Sequence, residues 1–119
     1  MRTSLAKWSL AAAAALSLLG AGLAVSAQEP PVIEVAAKRF QFTPGEIRLK
    51  KGEPALLRLH SEDVTHGFFM RALGIDTIIE PGKVTEVKVT PAEAGRFTVI
   101  CDHFCGSGHG NMKLTIVVE

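Results

Sequence analysis

From Pro30-Pro31 onward the chain never sustains a helical period. It breaks into short segments of β-branched and aromatic residues separated by turn chemistry at close spacing, the pattern of half-buried β-strands. Ile47 and Leu49 alternate with Arg48 and Lys50, and Lys51-Gly52-Glu53-Pro54 turns the chain into a strand where Leu57 and Leu59 alternate with Arg58 and His60. Beyond Pro81-Gly82, Thr85, Val87 and Val89 share one face and Glu86 and Lys88 the other. After a turn from Ala92 to Gly95, Phe97, Val99 and Cys101 lie together, and the chain closes with Leu114, Ile116 and Val118 alternating against Thr115, Val117 and Glu119. Ile33 to Ala37 and shorter pieces near Phe42, Phe68 and Ile78 bring the expectation to seven or eight strands. A domain this size buries about 60–65% of its unfolded surface, enough for one core between two sheets. The expected architecture is all-β, an antiparallel Greek-key β-sandwich.

The N-terminal part is different. Arg2 and Lys7 precede an uncharged run from Trp8 to Val25, and Val25-Ser26-Ala27 offers small residues for cleavage. Residues 1–27 are therefore expected to be a secretory signal peptide, 28–31 a short linker and 32–119 the folded domain. The alternative is an uncleaved membrane anchor, for which the apolar run is barely long enough. A periplasmic location follows from the first reading, with membrane attachment only if the segment stays on. Thirteen basic against twelve acidic residues give a net charge of +1, and the single Trp, Trp8, lies in the leader, so a nucleic-acid partner is not expected.

The two cysteines, Cys101 and Cys105, then sit in an oxidising compartment, where thiols pair unless a metal holds them. They belong to the segment Cys101-Asp102-His103-Phe104-Cys105-Gly106-Ser107-Gly108-His109-Gly110-Asn111-Met112. Its thiol, imidazole and thioether groups form a soft donor set, which suits copper and does not suit calcium or magnesium. Gly106, Gly108 and Gly110 allow the tight backbone path that convergence requires. The competing reading is a disulfide between Cys101 and Cys105, which leaves the spacing of His109 and Met112 as coincidence. A ligand from elsewhere must tie such a loop to the scaffold. His66, next to Gly67, is the candidate, whereas His60 reads as a surface histidine. His103 is open between an outward side chain and a ligand. Glu62 and Asp63 adjoin His66 but read as a solvated turn, so no catalysis of its own is expected.

Taken together, Asp63-Val64-Thr65-His66-Gly67-Phe68, then Leu73-Gly74-Ile75 and Pro81-Gly82, then Cys-x3-Cys-x3-His-x2-Met from Cys101 to Met112, resemble the CuA domain of cytochrome oxidase subunit II and nitrous oxide reductase. The resemblance runs from about Phe40 to Glu119. It implies the cupredoxin fold and a pair of copper ions bridged by Cys101 and Cys105, with His66 and His109 terminal and Met112 a weak axial ligand. It also implies a backbone carbonyl from His103, where the family usually carries Glu or Gln; an imidazole there offers a further donor and keeps another nuclearity open. The implied role is a periplasmic electron carrier whose redox partner is a cytochrome or terminal oxidase. Two alternatives stay open: a mononuclear cupredoxin, and a periplasmic copper chaperone or storage protein.

Overall fold

The computed structural model describes residues 29–119. The expected leader over residues 1–27 lies outside them. Nine strands follow in order: β1 (Val32–Lys38), β2 (Gln41–Thr43), β3 (Glu46–Leu49), β4 (Ala55–Ser61), β5 (His66–Met70), β6 (Ile75–Ile79), β7 (Val84–Val89), β8 (Gly95–Ile100) and β9 (Lys113–Val118). Short 3-10 turns occupy Arg71–Leu73 and His109–Asn111. The strands form two sheets, β2-β1-β4-β7 and β3-β9-β8-β5-β6. Among the described residues no helix is long and apolar enough to cross a membrane.

The all-β sandwich expected from alternation is present, with nine strands against an expected seven or eight, since the short pieces near Phe42, Phe68 and Ile78 each form a strand of their own. Most pairings are antiparallel, but β1 runs parallel to β4 with Val35 opposite Leu59, and β3 runs parallel to β9 with Ile47 opposite Ile116. The reason is the route of the chain. It leaves the first sheet after β2, forms β3 in the second sheet and returns as β4 alongside β1.

Inward faces follow the period of two. Val35, Ala37, Leu57 and Leu59 from the first sheet meet Ile47, Phe68, Ile79, Val99, Leu114 and Ile116 from the second. Burying each large aliphatic side chain contributes roughly 1.5–3 kcal/mol, so this face carries most of the folding free energy. Phe42 and Phe68 bridge the layers edge to face, with ring centroids 5.3 Å apart and planes at 87°. Val117 departs from the pattern: it is buried although alternation turns it outward. Between β6 and β7, Glu80-Pro81-Gly82-Lys83 makes the expected turn, with Gly82 at φ 82° and the Lys83 N–H reaching the Glu80 carbonyl.

Candidate metal centre

The loop between β8 and β9 starts where their ladder ends, at the Ile100–Lys113 pair. One further main-chain bond, from Cys101 N–H to the Met112 carbonyl at 3.3 Å, closes its neck. Alternation along β8 turns Cys101 to the interior with Val99, and the same rule on β9 turns Met112 inward with Leu114. Cys101, Cys105 and Met112 are all part of the buried core, so the donor sulfurs form its end rather than a surface appendage.

His66 opens β5 and shares its inward face with Phe68. It is fully buried at 0% exposure, the one buried polar residue among those described. A ring nitrogen of His66 and the sulfurs of Cys101 and Cys105 all lie within 4.8 Å of one another. Its Nε2 stands 2.7 Å from Asp63 Oδ1. A carboxylate only accepts, so in the neutral ring Nε2 carries the hydrogen and Nδ1 presents a lone pair. That Nδ1 is buried and has no partner, a costly arrangement unless a further ligand completes it.

The remaining donors gather around the two sulfurs. Cys101 Sγ lies 3.9 Å from Cys105 Sγ and 3.2 Å from the His103 carbonyl oxygen. Cys105 Sγ lies 3.8 Å from His109 Nδ1 and 3.9 Å from Met112 Sδ. Two atoms each about 2.0–2.3 Å from one tetrahedral metal stand roughly 3.3–3.8 Å apart, so these spacings suit shared coordination. Both cysteines are free, and the competing disulfide is absent. His103 sends its carbonyl inward while the residue itself is exposed, which favours the carbonyl over the imidazole as the contact. His109 is half-buried, its ring 6.0 Å from that of Phe104, which is 75% exposed. His60 is half-buried on the outer face of β4 beside Arg58, apart from these donors.

Burial raises the Cys105 thiol to about 11, and the neighbouring Cys101 adds to that, with Arg39 opposing. Asp63 moves the other way. Burial alone pushes its carboxyl up, but the Arg39 and Val64 N–H groups and the His66 ring together outweigh this and bring it down to about 2. The side chain read from sequence as a solvated turn residue is therefore an ionised anchor for His66. The spacing Asp63-x-x-His66 was the available signal.

Close approach explains two glycines more sharply than flexibility does. A Cβ on Gly67 would meet Asp102 Oδ1 at 2.0 Å and the backbone nitrogens of His103 and Asp102 at 2.7 and 2.8 Å. The bare Gly67 lets the loop lie on β5 and lets its own N–H donate to Cys101 Sγ at 3.3 Å. At Gly108 a Cβ would meet the Phe40 ring at 2.5 Å. Gly110, by contrast, has open space around its Cβ position, so convergence of the loop does not depend on it.

Comparison with known proteins fits this geometry. The model of the cupredoxin-like domain matches residues 7–118. Cytochrome c oxidase subunit 2 of Thermus thermophilus is 36% identical over 87 residues, 73% of this chain and 64% of that subunit. Nitrous-oxide reductase of Cupriavidus necator is 30% identical over 91 residues, covering 73% of this chain but only 14% of the reductase. The crystal structure of the periplasmic domain of cytochrome oxidase subunit II from Bradyrhizobium japonicum superposes with a TM-score of 0.71 at 19% identity, over 77% of this chain and 86% of that one.

Proposed function

Because the chain belongs to the family of cupredoxin-like domains, we propose that it is a copper-binding electron carrier with a binuclear centre of the CuA type. The observation that carries this reading is the donor set itself. Six groups converge: the His66 ring, Cys101, the His103 carbonyl, Cys105, His109 and Met112. Six donors are more than a trigonal blue-copper site with one weak axial ligand employs. They gather around two sulfurs, with the His103 carbonyl beside Cys101, His109 and Met112 beside Cys105, and the His66 ring within 4.8 Å of both.

Copper held there would supply the exchangeable electron, passing between two oxidation states. The chain's residues do the rest. Asp63 fixes the His66 tautomer, the Gly67 N–H lowers electron density on Cys101 sulfur, and the buried core around Cys105 and Met112 excludes water. Because His66 opens β5 and Cys101 and Met112 are hydrogen-bonded together at the ends of β8 and β9, these donors would change position little when the charge changes, which favours fast electron exchange. His109 leads toward exposed Phe104, and a cytochrome or terminal oxidase would dock there through a small transient interface. Residues 1–27 would direct the chain to the periplasm and be removed, leaving 32–119 as the working domain after a short linker. The chain would have no catalysis of its own.

Electron paramagnetic resonance of the copper-loaded protein tests the reading. Hyperfine splitting from two equivalent copper nuclei is expected. A spectrum from one nucleus would replace the pair with a mononuclear site, and failure to take up copper stoichiometrically would end the reading altogether.

A further inference from the structure

We propose that Arg39 is a positioning residue that straps the ligand loop to the opposite sheet and supports ligands from two separate segments at once. The proposal rests on the copper-centre reading above. Arg39 lies in the turn between β1 and β2, in the sheet that contributes none of the six donors. Its main-chain N–H donates to Asp63 Oδ2 at 2.8 Å, and its side-chain Nε donates to the Cys105 carbonyl at 2.9 Å. The other Asp63 oxygen holds His66. One residue thereby touches the support of His66 and the backbone of Cys105.

Phe40 makes the same connection by packing. A Cβ on Gly106 would come within 2.9 Å of its ring and one on Gly108 within 2.5 Å, so the ring lies directly on the loop just past Cys105. The loop has little internal structure of its own: the backbone bonds His109 N–H to Gly106 carbonyl and Asn111 N–H to Gly108 carbonyl both lie beyond Cys105. The tie from Arg39 is thus the contact that fixes the Cys105 carbonyl. The guanidinium also places a fixed positive charge beside this ligand. A cation there favours the reduced form of a copper centre, which carries one positive charge fewer. Arg39 is exposed, so solvent damps but does not abolish that effect.

The full chain, Arg39→Ala and Arg39→Lys test this in two forms. Metal-free and reduced, in a Cys101→Ser background, alkylation of Cys105 by iodoacetamide reports how often the loop opens. Loss of one charge-assisted hydrogen bond predicts alkylation about tenfold faster in Arg39→Ala, with Arg39→Lys closer to the parent. Copper-loaded and without the Cys101 change, Arg39→Ala is expected to lower the reduction potential and Arg39→Lys to restore most of it. Cys105 alkylation in Arg39→Ala at the parent rate overturns the proposal, whatever the potential does. Should the parent bind no copper, the functional reading fails, yet the metal-free alkylation still decides the strap.

Discussion

Asp63 Oδ1 and His66 Nε2 stand 2.7 Å apart, and this contact leaves Nδ1 as the one free nitrogen of a fully buried ring. Removing the carboxylate frees the ring to rotate and exchange tautomers. Asp63→Ala is expected to weaken copper binding about 10–100-fold, the usual consequence of losing such an outer partner. Competition against a chelator of known affinity measures it; unchanged affinity would show that His66 is held by packing alone.

The two displaced ionisations act at opposite ends of the pH scale. The Asp63 carboxyl sits at about 2 against an ordinary 3.8, so the stability it contributes is present above 3.8 and is lost as pH falls toward 2. The Cys105 thiol sits at about 11 against 9.0, so its contribution is present below 9.0 and is lost as pH rises toward 11. Urea titrations of the metal-free protein across both windows should show these declines. Copper must displace the thiol protons, so uptake should release acid and tighten as pH rises through neutrality. An indicator dye in weak buffer reads that release directly.

Gly67→Ala puts a methyl where the backbone of Asp102 and His103 already lies. Asp102 could swing its carboxylate away, but the two main-chain nitrogens cannot retreat without moving Cys101. A loss of about 1–3 kcal/mol in chemical denaturation is expected, together with a changed copper spectrum. A native spectrum in this variant would mean that the loop tolerates a second path.

Phe42→Ala removes half of the edge-to-face pair that joins the sheets. Both rings are almost completely buried, so the cost should be about 3–5 kcal/mol. Thermal unfolding of the copper-free protein is the direct measurement.

Met112→Leu keeps the volume of a residue that is 1% exposed while deleting its sulfur. Stability should change by less than about 1.5 kcal/mol. The reduction potential should rise, because a weak electron-donating contact gives way to an apolar one. Protein-film voltammetry beside a melting curve separates the two effects.

Much of this molecule can be read from residue order. The inward rows Leu57/Leu59, Val87/Val89 and Leu114/Ile116 lie where alternation puts them, because a period of two turns every second side chain to the same face. The ligand loop and His66 also converge as their chemistry suggests. Parallel pairing of β1 with β4 was not legible, since alternation says which face is apolar and not which direction a neighbour runs. Nor was Arg39 legible. It is 66 residues from Cys105 and 24 from Asp63, and nothing local marks an exposed arginine in a turn as a support for a buried site. The role of Asp63 lay between these cases: its spacing from His66 was visible, but only the fold shows that the carboxylate faces the ring.

The hydrogen bond from Cys101 to Met112 pinches the hairpin shut at the point where the sheet gives way to the chelating turn. Between those two residues Cys105 packs into the core, Asp102 and His103 lie against Gly67, and Gly106 and Gly108 lie against Phe40. Evolutionary freedom is thereby confined to exposed positions such as Ser107 and Gly110, and a library restricted to these could explore new chemistry with the frame kept intact.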